Sequence, residues 1–409
     1  MSQNGAVRSP LDIAVLGAGV SGLAAAALLR LRGQKVTILE RFSTPQPLGS
    51  GLVLHQSGLA VLARIGLHDD AIGLGARLTR FEGKTDRGKP VYELAHDPGE
   101  FSLGIHRHSL FDLLYRKVLA LGVPVIAACP VDCIEHTTDQ AIVRSGMRRV
   151  GSFDVVVDAT GTHSVVRDRY ASIRHRRQFA YGALWGVCAA ADGQPSDVLR
   201  QRFRGAKVGV GLIPIGRKPG GDRRHYVGFH WSIRNSAVED WRRAPLVDWK
   251  RQVTALWPET GFLAEQITRH DDLTWASYSD VALTRLHTGR IVFIGDAAHS
   301  ISPRLGQGAN MGLVDALTLA NAMSTSPTVA EALDAYDRKR KRQVRFYHSA
   351  SRWLSTLFQS DSVLAPLLRD LAFAHLCRMP YMRRQMLDSL AGLKTGLFGR
   401  IDVAGSASI

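Results

Sequence analysis

Cysteine is scarce in this sequence, with four among 409 residues, at positions 129, 133, 188 and 377. Their spacing matches no metal-ligand pattern, so no metal is expected and the thiols are read as reduced and buried. Cys129 and Cys133 fall at same-face spacing in an expected strand. Long apolar runs are missing too: nowhere do about eighteen apolar residues follow one another, the length a membrane-crossing helix needs. No charged segment leading into an apolar one opens the chain, and a cytoplasmic protein is expected. Acidic residues are the minority, 36 against 52 basic ones, for a net charge of +16. Such an excess suits nucleic acid, an anionic membrane surface, or an acidic cofactor and substrate. Aromatic-interleaved basic motifs are absent, so nucleic acid is not expected as a partner.

What is present begins with Asp12-Ile13-Ala14-Val15-Leu16-Gly17-Ala18-Gly19-Val20-Ser21-Gly22. An apolar run suited to a buried parallel strand enters a glycine turn, and an alanine- and leucine-rich helix follows. Gly17 permits the tight turn, Gly19 lets backbone approach a pyrophosphate, and Gly22 lets helix pack closely on strand. A second apolar strand, residues 36–39, ends at Glu40, about 20 residues on, where a carboxylate accepts bonds from ribose hydroxyls. Acid at that position disfavours a 2′-phosphate, which leaves FAD or NAD as the nucleotide held there.

Further along, a Pro- and Gly-containing loop (45–51) leads to Leu52-Val53-Leu54 and a helix over 57–65 ended by Gly66. Arg107 precedes a helix for which Ser109 is the expected N-cap; a phosphate clamp and a plain surface arginine are equally open there. The buried strand 153–158 ends in Ala159-Thr160-Gly161, a second glycine turn. Strands are expected over 181–189, 207–215 and 225–233, and 77–103 reads as inserted antiparallel strands. A third strand, 291–294, runs into Gly295-Asp296, and Pro303, Gly306, Gly308, Ala309, Asn310 and Gly312 lead into a helix. Asp296 stands at a strand's C-terminal end, the usual place for ligand groups in an open α/β sheet. The glycines leave N–H groups free to stabilise negative charge on a ring.

These segments together, Leu11 to about Asp337, resemble the FAD-dependent monooxygenases of the para-hydroxybenzoate hydroxylase type. Tyr336, Arg340, Phe358, Asp361, Arg369 and Pro380 make the tail similar to ubiquinone-biosynthesis hydroxylases of that family. The resemblance implies an α/β fold: a Rossmann-like FAD-binding domain (1–76, 104–176 and 280–337) interleaved with an antiparallel-sheet substrate domain (77–103 and 177–279), then a helical tail (338–409). It implies FAD as cofactor, with Gly17, Gly19, Val20, Ser21 and Gly22 at the pyrophosphate and Glu40 and Arg41 at the adenosine ribose. Val131 would offer backbone bonds to adenine, Arg107 would contact phosphate and ribityl chain, and Asp296 would hold a ribityl hydroxyl. Gly306, Gly308, Ala309 and Asn310 would face the flavin ring, Val53 would approach it, and Pro303 would shape the wall toward substrate. The family's middle motif usually carries Asp-Gly where this chain has Thr160-Gly161, with Asp158 two residues earlier. A threonine there would still donate to phosphate but removes a charge.

The implied activity is NAD(P)H- and O2-dependent hydroxylation or epoxidation, through a flavin hydroperoxide, of a small aromatic or polyketide-like molecule of secondary metabolism or catabolism. A same-fold halogenase or isoprenoid reductase or dehydrogenase is the alternative, although the halogenase Trp-x-Trp-x-x-Pro signature is absent around Trp185 and Trp231. A non-catalytic flavoprotein is a third. No side chain is expected as a covalent catalyst. Trp185, Tyr226, Phe203 and His230 are pocket candidates, with core or exposed sheet positions favoured for them; His299 reads as a structural helix-entry residue. The basic run 338–342 reads as a solvated helix face. Joined to Trp353, Leu354, Leu357, Phe358, Leu364, Leu367 and Leu368 it would suit a membrane surface, but packing of that apolar face on the other domains is favoured. A monomer or homodimer is expected.

Overall fold

The computed structural model describes residues 9–47, 49–137, 139–220, 223–396 and 399–401. Most of the polar N-terminal arm, residues 1–8, and part of the tail lie outside the described residues.

The first strand, Asp12–Leu16, has four of its five side chains buried, and it lies in the middle of a six-stranded sheet. Spatial order runs His287–Thr288, Ile291–Phe293, Val155–Asp158, Asp12–Leu16, Lys35–Leu39 and Val125–Ile126. All neighbours are parallel except the hairpin between the first two. Burial on both faces is what such apolar runs require, each large side chain contributing about 1.5–3 kcal/mol. The helices Val20–Leu31 and Gly308–Thr325 join this core through buried alanines and leucines.

A seven-stranded sheet forms the other half, in the order Thr274–Ala276, Tyr181–Ala189, Tyr226–Arg234, Val208–Gly216, Val198–Arg204, Arg80–Thr85 and Pro90–Ala95. Two strands from the 77–103 segment thus complete the sheet built from 177–279, the pair Arg80–Thr85 and Val198–Arg204 running parallel. Val198–Arg204 was not expected as a strand, because its three arginines mask the alternation. A small sheet of Gly51–Leu54, Ser102–His106 and Ala76–Leu78 sits against the large one. The approach is so close that a side chain at Gly104 would meet the Pro214 carbonyl oxygen at 1.9 Å.

Helices Val329–Phe358, Leu364–Arg378 and Pro380–Leu390 make the C-terminal part. Phe358, with Leu354 and Leu357, packs inward on Phe203 and Phe373, whereas Trp353, Leu364, Leu367 and Leu368 remain exposed. Among the described residues no helix is long and apolar enough to cross a membrane.

Three local expectations are corrected. The helix after the strand Ser102–His106 starts at Arg107 with His106 as its cap, its imidazole accepting from the His108 N–H at 3.1 Å; Ser109 instead donates to the Arg217 carbonyl at 2.7 Å. Cys129 lies in a loop before the strand Cys133–His136, so the two thiols share no strand, although all four cysteines are free. Within the basic run, Arg340 points inward and is 2% exposed.

Candidate functional site

The glycine turn has the geometry that its residue types demand. Gly17 takes φ +92°, and a β-carbon on Gly22 would stand 2.0 Å from the Gly17 carbonyl oxygen, so strand and helix meet with no room for a side chain. Space in front of Gly19, the N-cap of Val20–Leu31, is open for 4 Å. The first helical N–H groups, at Val20 and Ser21, are therefore available to an anion. Glu40, 6% exposed, ties this turn to the next segment: its carboxylate accepts from the Ala18 N–H at 2.6 Å and from the Phe42 N–H at 3.0 Å. A carboxylate has further lone pairs, so ribose hydroxyls remain acceptable partners. Arg41 is exposed and stacks on Phe42 at 4.6 Å. Val131 lies two residues beyond Cys129, whose N–H bonds the Glu40 carbonyl at 2.8 Å.

The second turn is organised by Asp158, a residue not proposed for the site. Fully buried, it accepts from the Thr160 N–H at 3.0 Å, from the Thr160 hydroxyl at 2.6 Å and from the Ser164 hydroxyl. The Thr160 proton is therefore committed within the protein, which corrects its expected donation to a phosphate. Burial raises the Asp158 carboxyl above its ordinary value, against the pull of these donors. Gly161, at φ +85°, has open space beside it.

Arg107 and Asp296 come together from different segments. Burial lowers the Arg107 guanidinium below its usual value, and the Asp296 carboxylate acts against that. A β-carbon at Gly49 would stand 2.7 Å from Arg107 Nη1, so the preceding loop lies directly on the guanidinium. Asp296 itself is exposed at the start of a short helix, with the Thr162 hydroxyl 3.4 Å away. Its helix is anchored from behind by Asp315, which accepts from the Gly295 N–H at 2.8 Å, from His299 Nε2 at 2.5 Å and from Arg340 Nε at 2.5 Å. His299 is thus a structural helix-entry residue.

Asn310 joins Gly306 and Gly308 to the segment bearing Val53. Its amide donates to the carbonyls of Val53 at 2.9 Å and Gly306 at 2.8 Å, and its oxygen accepts from the His55 N–H at 2.9 Å. Gly306 takes φ +62°, and Gly308-Ala309 open the long helix, so the first N–H groups of that helix face the same region as Val53.

On the large sheet, a single cross-strand row brings several ring and amide side chains together. Trp185 pairs with His230, His230 with Gly211, Gly211 with Gln201, Gln201 with Gly83 and Gly83 with Tyr92. The two glycines lie beneath neighbouring rings: a β-carbon would meet the His230 imidazole at 1.9 Å from Gly211 and the Tyr92 ring at 2.3 Å from Gly83. Trp185 and His230 rings are 4.9 Å apart, Trp185 Nε1 donates to the Tyr278 hydroxyl at 2.7 Å, His230 Nε2 is 3.3 Å from the Gln201 amide nitrogen, and Tyr92 bonds Gln201. Burial, with the Arg304 charge, pushes His230 down to about 3, so the imidazole is neutral. Tyr226 lies apart from this row, with Trp185 along an apolar wall of Val53, Ile213 and Ile215. Phe203 is core, 1% exposed. Pro303 opens the 3-10 turn Pro303–Leu305 directly before Gly306. Gln201, Tyr92, Tyr278 and Arg304 were missed: they lie far apart in sequence with no periodic signal, cross-strand pairing unites only Gln201 and Tyr92, and Tyr278 and Arg304 reach the row from a loop and from the 3-10 turn.

Residues 10–349 match the family model described as FAD binding domain. The chain is 31% identical over 365 residues, 85% of its length and 88% of the other, to 3-amino-4-hydroxybenzoate 2-monooxygenase of Streptomyces cremeus. It is 26% identical to 2-heptyl-3-hydroxy-4(1H)-quinolone synthase of Pseudomonas aeruginosa (strain PAO1), covering 88% and 93% of the two chains. In fold it resembles Klebsiella pneumoniae HpxO complexed with FAD and uric acid, with a TM-score of 0.80 at 20% identity over 94% and 98% of the chains. A glycine turn closed by Glu40, an enveloped arginine beside Asp296 and a glycine-led helix start suit a dinucleotide with a ring at its far end, and the chain belongs to the FAD-binding monooxygenases of the para-hydroxybenzoate hydroxylase type.

Proposed function

We propose that this enzyme uses NAD(P)H and O2 to hydroxylate a small, electron-rich aromatic ring held on the row formed by Trp185, His230, Gln201 and Tyr92. The observation that carries the reading is that row: a mostly neutral set of rings and amide groups on one face of the sheet, close enough to Arg304 for its charge to act on His230 and Tyr92. Bound FAD supplies the activation of dioxygen, with the nicotinamide as its electron source. Gly17 to Gly22, Glu40 and Arg107 would hold its nucleotide end, Asp296 its ribityl chain, and Val53 with Gly306 to Asn310 its ring.

The chain's own part is positioning and exclusion of water. Trp185 and Tyr226 give the substrate apolar walls. Neutral His230 holds a ring hydroxyl by a hydrogen bond; with its conjugate acid at about 3 it is a weak base. Burial pushes the Cys188 thiol up to about 11 and raises Cys129 and Cys377 as well, so none of these three serves as a nucleophile. The names of the relatives favour oxygen insertion over the reductase and halogenase alternatives.

Reduction by NADH and by NADPH without oxygen, followed by mixing with oxygen and a panel of hydroxylated aromatics, tests the reading. Substrate-stimulated oxygen uptake and a product carrying one added oxygen atom are expected. Flavin that neither nicotinamide reduces, at any substrate concentration, would sink it, and would point to the Thr160 substitution as its cause.

A further inference from the structure

Nothing in oxygen insertion itself requires a cation at Arg304. Its backbone is set by Pro303 and by the Ser302 hydroxyl, which accepts the Arg304 N–H at 3.4 Å. The side chain reaches the sheet, where Nη2 lies 3.5 Å from Ser232 Oγ, at the outer limit of a hydrogen bond, and the buried Nε has no partner among the described residues. Among the described residues, the ionisable groups that interact with it are Tyr278, Tyr92, His230 and another cation, Arg369, and none of these is a carboxylate. Other buried arginines of the chain are treated differently. Arg340 is paired with Asp315 at 2.5 Å, Arg369 with Asp370 at 2.6 Å and Arg167 with Asp168 at 2.8 Å. A buried cation without a counter-ion is costly to keep, and such a cost is recovered when a ligand brings the missing charge.

We propose that Arg304 anchors a negatively charged group of the substrate, and that the substrate is an aromatic carboxylate. This rests on the aromatic monooxygenase reading and names the substrate class within it. The Nε and Nη2 N–H groups of a guanidinium point the same way, and that edge matches the two oxygens of a carboxylate. It is this edge that the protein leaves without a strong partner. Arg304 is close enough to Tyr92, His230 and Tyr278 for its charge to act on each of them. An acid group on Arg304 therefore sets the ring against the neutral row, where Gln201, His230 and the two tyrosines meet its other substituents. The net charge of +16 favours approach of an acid.

The FAD-loaded protein is titrated with hydroxy- and aminohydroxybenzoates and with the matching benzamides, binding being read from the visible flavin spectrum. Acids are expected to bind roughly 100-fold more tightly than amides. Arg304→Gln lowers acid affinity by about the same factor, with far less effect on the amides, and Arg304→Lys recovers part of it because the charge stays while the fork is lost. Thermal melting of each variant separates anchoring from support of the fold: removing an unpaired buried cation leaves the melting temperature unchanged or higher, whereas loss of a structural arginine lowers it. Equal affinity for acids and amides in the natural protein, or an acid preference that survives Arg304→Gln, overturns the anchor. Hydroxylation of a neutral 4-quinolone ring but of no benzoate overturns the anchor and leaves the monooxygenase reading standing. Should flavin be reduced and reoxidised while no ring of either kind binds or is hydroxylated, the monooxygenase reading fails and the anchor with it.

Discussion

At the nucleotide end the buried carboxylates Glu40, Asp158 and Asp315 each accept at least two hydrogen bonds from the protein, whereas beside the cross-strand row Arg304 Nε and His230 Nδ1 are buried with no partner among the described residues. Most of the first region is tied up by the protein itself, although Arg167 Nη1 and His299 Nδ1 there are also buried without a hydrogen-bond partner among the described residues. Its charges shape loops, and the loops present backbone N–H groups to a ligand that is the same in every turnover. The second region is left incomplete, and an unmet buried group in a native protein is a statement about what completes it. On the proposed reading, the difference separates the part of the site that serves the cofactor from the part that selects the substrate.

That contrast can be broken at its rigid side first. Gly22→Val places a side chain where 2.0 Å separates the β-carbon from the Gly17 carbonyl oxygen, so the helix must leave the strand. We expect complete loss of retained FAD, measured as the flavin-to-protein absorbance ratio after gel filtration. Asp315→Ala comes next. It strands Arg340 and His299 in the core at a cost of about 3–5 kcal/mol, read by urea unfolding; a loss below about 1 kcal/mol would show that water reaches Arg340 and that the region is less finished than described.

Acid titration probes both regions together. Burial holds His55 and His230 down at about 3 and His106 at about 4, against an ordinary histidine value of 6.5. Above 6.5 these rings are neutral both folded and unfolded, and nothing is lost. Below it the unfolded chain takes up protons that the folded chain refuses, so stability falls as the pH drops from 6.5 toward 4. Melting temperature recorded across that window should decline steadily, and His230→Gln should make the decline shallower; equal slopes for the two proteins would mean that His230 is more solvated than its surroundings indicate. The smallest effect is expected from Thr160→Val. Asp158 keeps the Thr160 N–H and the Ser164 hydroxyl, so the loss is about 1 kcal/mol, and FAD affinity changes little if the Thr160 proton serves Asp158 alone.

Legibility in the sequence follows the same division. The glycine turn, Glu40, and the run from Gly295 through Asn310 are contiguous, and each residue type there answers a local demand of backbone shape or hydrogen bonding. That 77–103 holds inserted strands was readable from its breaks and alternation, although only Arg80–Thr85 and Pro90–Ala95 join the large sheet, and Trp185 and His230 were singled out together. Arg340 was misread, because a run of five basic residues looks like a solvated face while helical spacing turns one of them inward to Asp315. Thr160 was misread for a related reason: the acceptor that takes its proton, Asp158, was noted as a neighbour but its burial was not visible.

By itself the sequence determined the strand, glycine turn, helix and second strand closed by Glu40, since strand periodicity, turn glycines and a terminal acid act over about 30 residues of chain, while the flavin was implied by the resemblance. Only the tertiary structure decided which side chains the row brings together and that Arg304 stands beside it without a counter-ion among the described residues. The row from Trp185 to Tyr92 is assembled by strand register, and whether a buried charge is paired depends on every element packed against it, a property that no stretch of sequence contains.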